Sequence, residues 1–156
     1  MSLPVAAEPD RDEDVDGLVD ALVQSSFVVM GVLTRTAAEH DLSLTQLRVL
    51  GILRDRRLKM TDLADFLGLD KSTMTGLVAR AEKRGLLERV RNPDDGRAVD
   101  VIVAADGEAL IDSVHAQVVR ALAGSTGRLS RTDGRRLRGL LEEMLGGVSP
   151  AQTSRR

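Results

Sequence analysis

The chain contains no cysteine, no tryptophan and no tyrosine, and apart from its two histidines its aromatic rings are Phe27 and Phe66. Without cysteine there is no disulfide, no thiolate metal ligand and no thiol redox switch. Without a set of aromatic platforms, a single-strand binder that stacks bases is disfavoured. No apolar run approaches the roughly 20 residues that a membrane span needs, and residues 1–20 lack the apolar core of a signal peptide, so no membrane partner is expected. A phosphate-binding Gly loop, HExxH and GxSxG are all missing, which counts against an enzyme. His40 and His115 are far apart in sequence, so neither a metal site nor a cofactor is expected. The paired acids Asp94 and Asp95 sit in a turn pattern, where solvated carboxylates are the default.

What is present is a chain of 156 residues, 42% hydrophobic and 29% charged, enough for one soluble domain with a sizeable core. Its net charge of −2 would by itself count against nucleic-acid binding. The distribution reverses that reading. Residues 1–20 carry a balance of −6, whereas residues 71–91 hold Lys71, Arg80, Lys83, Arg84, Arg89 and Arg91 against Glu82 and Glu88. An acidic N-terminus therefore masks a local basic stripe.

Apolar residues at three- and four-residue steps, from Val15 and Leu18 through Phe27, Met30 and Leu33 toward Glu39, predict a long first helix. It exceeds what a small core requires and suits packing against another subunit. Ser43-Leu44-Thr45-Gln46 is a capping box that opens a second helix, with Leu42 and Leu47 as a hydrophobic staple. A short third helix is expected from Thr61 as N-cap to Gly68, with Phe66 in the core. Asp70 caps a fourth, which buries Met74, Leu77, Val78 and Ala81 and closes at Gly85. Leu87 to Arg91 and Ala98 to Val103 read as strands, with Val99, Val101 and Val103 on one face, joined by the turn Asn92-Pro93-Asp94-Asp95-Gly96. Two further helices follow, marked by Leu110, Ile111, Val114 and Val118, and by Leu137, Leu140, Leu141, Met144 and Leu145. Gly124 and Gly127 are expected to break between them.

Two short helices joined by a tight Gly-containing turn, followed by a basic hairpin, form a winged helix-turn-helix. The expected fold is mainly α with a small β-hairpin wing, the winged helix-turn-helix being flanked by dimerisation helices. Lys71, Ser72, Thr73 and Thr75 occupy the first turns of the fourth helix, where free amides and the helix dipole favour phosphate. Their small hydroxyls let the helix end approach base edges. Arg80 and Lys83 lie further along the same exposed surface. Arg97 is placed to enter a minor groove, with Asp95 orienting its guanidinium through a bidentate pair. Taken singly, Ser and Thr at a helix start are often only caps, and Asp-Gly is often only a turn. It is the conjunction of turn, basic face and tip arginine that points to double-stranded DNA.

The stretch Met60 to Val103, MTDLADFLGLDKSTMTGLVARAEKRGLLERVRNPDDGRAVDVIV, resembles the DNA-binding core of the MarR family. Asp95-Gly96-Arg97 matches that family's wing-tip Asp-x-Arg, and the likeness extends over about residues 12–148. The resemblance implies a cytoplasmic, homodimeric bacterial transcription regulator with helices in the order α1-α2-α3-α4-β-wing-α5-α6. Residues 14–40 and 105–148 would form the dimerisation helices and 41–104 the DNA-binding domain, with 1–13 and 149–156 as flexible tails. It implies Lys71, Ser72, Thr73, Thr75, Gly76, Arg80, Lys83, Arg91, Asp95 and Arg97 as the DNA-facing set. Gly76 stands where many members carry Arg or another long polar residue. That removes a candidate base contact and costs about 1 kcal/mol of helix stability relative to Ala. Ala81 replaces the usual Leu beside Glu82 and thins the packing behind the helix. The resemblance also allows a small aromatic or carboxylate effector without locating its site. The competing reading is a winged-helix protein–protein module that does not bind DNA.

Overall fold

The computed structural model describes residues 11–146. Its elements are α1 (Arg11–Glu39), α2 (Leu44–Leu53), β1 (Leu58–Lys59), α3 (Met60–Leu67), α4 (Lys71–Lys83), β2 (Leu87–Arg91), β3 (Val99–Val103), α5 (Ala105–Thr126) and α6 (Arg131–Gly146). The expected mainly helical fold with its wing is present. The capping box at α2 closes in both directions, the Gln46 amide donating to Ser43 Oγ at 3.1 Å and the Ser43 amide to Gln46 Oε1 at 2.8 Å. Leu42 is buried and Leu47 packs against the core, so the staple forms as well. The core gathers Leu50 and Leu53 of α2, Leu63 of α3, Met74 and Val78 of α4, and Leu87 and Val101 of the sheet.

Several expectations need correction. The sheet has three strands in the order β1-β3-β2, with Leu58 opposite Val101 and Lys59 opposite Asp100. β1 is two residues long, too short to show a two-residue period. Because it runs directly into α3, that helix starts at Met60 with Lys59 as N-cap, and Thr61 lies inside the first turn. Phe66 is only partly buried and stands outside the core cluster. Val99, at the strand end, is exposed while Val101 is fully buried. Gly124 does not break α5, which continues to Thr126, since one helix-interior glycine costs only about 1 kcal/mol. Gly127 caps it. α1 already begins at Arg11, inside the segment expected as a tail, and residues 1–10 and 147–156 lie outside the described residues.

The long helices leave much apolar surface uncovered. Val15, Leu18, Val19, Val23 and Phe27 of α1 are exposed, as are Val119 of α5 and Leu137, Leu140, Met144 and Leu145 of α6. No residue of α6 is buried. By length and mean hydropathy alone Asp14–Glu39 passes for a membrane span, but its uncharged stretch covers only residues 21–34, in keeping with the absence of a 20-residue apolar run.

The winged helix-turn-helix lobe joins the long helices at one tight contact. The Ala104 amide donates to the Leu86 carbonyl at 3.0 Å, and the first turn of α5 lies so close that a Cβ on Gly107 would stand 2.1 Å from that carbonyl oxygen and 2.8 Å from Val103 Cγ1. The first obstacle is backbone and cannot swing away. We therefore predict that Gly107→Ala destabilises the chain by about 1–3 kcal/mol through overpacking, whereas Gly139→Ala, which meets nothing within 4 Å, does not. Urea denaturation of both variants checks this.

Candidate nucleic-acid interface

α3 and α4 are set at their angle by Gly68, whose φ of 65° is left-handed backbone that glycine adopts without cost. The Leu69 amide returns to the Ala64 carbonyl at 3.0 Å, satisfying the end of α3. α4 then buries Met74, Leu77, Val78 and Ala81. Lys71, Ser72, Thr73, Arg80 and Lys83 are exposed, and Thr75 and Gly76 are half-buried.

The hydroxyls on this face are committed to their own helix. Ser72 Oγ donates to Asp70 Oδ1 at 2.5 Å, Thr73 Oγ1 to Asp70 Oδ2 at 2.6 Å, and Thr75 Oγ1 to the Lys71 carbonyl at 2.7 Å. The Thr73 amide is also taken by Asp70, at 2.9 Å. The Ser72 hydroxyl, then the Thr73 hydroxyl and amide, hold the Asp70 carboxyl far below the usual carboxylate range, so the cap stays charged. In this structure the three hydroxyl protons are thus spent within the start of α4, beside a fixed negative charge. Gly76 gains a substitute for its missing side chain. A Cβ there would stand 3.4 Å from Arg80 Nη1, so the Arg80 guanidinium lies back across the bare backbone.

Between α4 and the wing runs a cleft of about 260 Å³ whose lining includes Lys59, Thr61, Lys71, Thr75, Arg89 and Arg97. Three of these, Lys59, Thr61 and Arg89, are absent from the sequence-derived set. Arg89 lies in the basic stripe, which is a signal for it, whereas Lys59 and Thr61 reach the cleft only because β1 pairs with β3. The four cations are not equivalent. Arg89 is held by Glu82, its Nε at 2.7 Å and Nη2 at 2.5 Å from Oε2. That hydrogen bond lowers the Glu82 pKa and raises that of Arg89, so both stay charged and largely neutralise each other. Lys59 Nζ is 4.0 Å from Asp95 Oδ2. Lys71 and Arg97 form no ion pair among the described residues, which leaves them free to meet phosphates.

The wing tip is built by side chains rather than by the strand ladder. Asn92 Oδ1 accepts from the amides of Asp94 and Asp95, at 2.9 and 2.8 Å. Asn92 Nδ2 donates to Asp100 Oδ1 at 2.8 Å, and Arg57 Nε lies 2.8 Å from Asp100 Oδ2, off the axis of a hydrogen bond. Asp100 is only 1% exposed. Arg91 Nε donates to the Gly96 carbonyl at 3.2 Å, so Arg91 braces the tip. The expected bidentate pair between Asp95 and the Arg97 guanidinium is not formed. Asp95 Oδ1 instead accepts from the Arg97 amide at 3.1 Å, which turns the carboxylate inward and leaves the guanidinium free. Arg84, just past α4, donates to the Asp41 and His40 carbonyls at 2.7 and 2.8 Å and ties the recognition helix to the end of α1.

The sequence model of the MarR family matches residues 40–98. The Escherichia coli homoprotocatechuate degradative operon repressor is 26% identical over 131 residues, covering 83% of this chain and 88% of that protein. Two solved structures share the fold at 23% identity. E. coli MarR, as a variant in complex with operator DNA, has a TM-score of 0.64 over 87% of this chain and 99% of that one. NadR in complex with 4-hydroxyphenylacetate has 0.66 over 91% and 97%.

If the buried Asp100 holds the wing tip in place, Asp100→Asn should weaken binding to duplex DNA at least as much as Arg97→Ala, and should alone lower stability, by about 1–3 kcal/mol. Gel-shift titration at a temperature where both variants are folded, with a parallel melting curve, reads both effects. Unchanged affinity in Asp100→Asn would mean that the wing holds its shape without it.

Proposed function

The chain belongs to the MarR family of winged helix-turn-helix transcriptional regulators and is not an enzyme; from that premise we propose that it acts in the cytoplasm as a homodimeric repressor on a pseudo-palindromic operator. The observation that carries the reading is the cleft whose lining includes Lys59, Lys71, Arg89 and Arg97, of which Lys71 and Arg97 form no ion pair among the described residues. Four cations around one cleft, beside Met60, Ala98 and Val99, suit a phosphate backbone, and that concentration of positive charge favours duplex DNA over the protein–protein module. Two copies are supported by the exposed apolar residues of α1, α5 and α6, none of which lines the cleft. Paired recognition helices then enter successive major grooves, about 34 Å apart.

Salt dependence tests the backbone contacts. In each subunit Lys71→Ala removes one phosphate neutralisation, so the slope of log K against log salt should flatten by about 2 for the dimer. Fluorescence anisotropy at several salt concentrations measures it. A slope equal to wild type removes Lys71 from the interface.

Release by an effector is supported by a second cavity, of about 520 Å³, between α1, α2 and α5. Met30, Leu33, Leu47, Ile111, Val114 and Val118 supply an apolar wall, and Arg48, Arg54 and His115 supply the polar groups. That combination fits an aromatic ring carrying a carboxylate. Arg54 is paired with Asp112 at 3.3 Å, but both side chains are well exposed and such a pair contributes little. The expected outcome is that 4-hydroxyphenylacetate, used as a probe, weakens operator binding by wild type but has about tenfold less potency on Arg48→Gln. Indifference of wild-type binding to the probe would count against an aromatic carboxylate.

A further inference from the structure

We propose that the polar cavity on another face of the α1–α5 pair is a separate binding site for a small organic dianion, with its two acidic ends on Arg35 and Arg120. The cavity is about 380 Å³ and is lined by Val32, Arg35, Thr36, Glu39, Gln117 and Arg120, together with one alanine. It shares no residue with the apolar cavity between α1, α2 and α5.

The donor set is what selects the ligand. Arg35 and Arg120 form no ion pair among the described residues. Thr36 is 5% exposed and lines the cavity. Gln117 is oriented by His40, whose Nε2 lies 3.1 Å from Gln117 Oε1, and this leaves the Gln117 amide N–H groups uncommitted. Two guanidinium groups, a hydroxyl and an amide face the single carboxylate of Glu39. The balance favours an anion, and two guanidinium groups favour a ligand with two acidic ends over one.

The same groups connect the cavity to the DNA-reading lobe. His40 holds Gln117 through its ring, and its carbonyl accepts from Arg84 Nη2 at 2.8 Å, one residue beyond α4. A ligand that engages Arg35, Thr36 and Gln117 therefore bears on the last turn of α1, to which the end of the recognition helix is tied.

Isothermal titration of the full chain with succinate, and with acetate as the single-ended comparison, tests the site without using DNA, so its failure is distinguishable from failure of the operator reading. Succinate should bind saturably and about tenfold more tightly than acetate. Arg120→Gln and Thr36→Val, checked for folding by their melting curves, should each weaken succinate about tenfold or abolish its binding, while Arg48→Gln in the apolar cavity should leave it unchanged. Absence of saturable succinate binding, equal affinity in Arg120→Gln and Thr36→Val, or loss only in Arg48→Gln would overturn the proposal. Wild-type operator affinity should shift with succinate and that of Arg84→Gln should not; an equal shift in both would overturn the route through Arg84.

Discussion

The arrangement of the DNA-reading surface depends on the backbone of residues 84–87. Gly85 has a φ of 70°, the Leu86 amide returns to the Ala81 carbonyl, and the Leu86 carbonyl receives the Ala104 amide. On that short turn α4 ends, β2 begins and α5 starts its approach at Gly107. Arg84 adds the end of α1 to the same junction. All four elements meeting there carry candidate functional surface: α4 and β2 line the cationic cleft, and α1 and α5 line both of the other cavities. A displacement at the junction cannot be absorbed locally, because the contact between Gly107 and the Leu86 carbonyl already excludes even one methyl group.

Charge is distributed by a similar economy. The basic stripe of α4 and β2 looks uniform in sequence, yet Arg89 is spent on Glu82, Arg84 on two carbonyls and Arg91 on the Gly96 carbonyl. These three fix the scaffold. Lys71 and Arg97, one from α4 and one from the wing, form no ion pair among the described residues and line the same cleft. The net charge of the whole chain conveys none of this, since the balance of −6 over the first 20 residues outweighs the local basic stripe.

Local signals were legible because their physics is local. Ser43 with Gln46, Asp70 with Thr73, and Gly68 each announce a helix end within four residues of sequence, and each is found where it was expected. The wing was legible from Asp95-Gly96 and the alternating valines. What sequence hid was pairing between distant segments. β1 has no period of its own, so neither the third strand nor the placement of Lys59 and Thr61 could be read. Asp100 sits between Val99 and Val101 and reads as the solvent-facing member of an alternating strand. It is buried because Arg57 and Asn92, 43 and 8 residues away in the chain, converge on it. The inward turn of Asp95 and of the Ser72, Thr73 and Thr75 hydroxyls was hidden for a different reason: the same residue types serve equally as caps and as contacts.

The internal commitment of those three hydroxyls and the bare backbone at Gly76 bear on how much information one subunit can extract from DNA. Each committed donor is one hydrogen bond fewer with which to tell one base pair from another, and a discriminating bidentate contact is worth about 1–3 kcal/mol. A genome offers on the order of a million or more competing sites, so a reader with few such contacts cannot find its address from one half-site alone. In the proposed homodimer the missing bits would come from repetition and from duplex shape: two half-sites in fixed phase, and a groove width that suits the Arg97 guanidinium. Such a reader tolerates base changes within each half-site but not a change in the spacing between them.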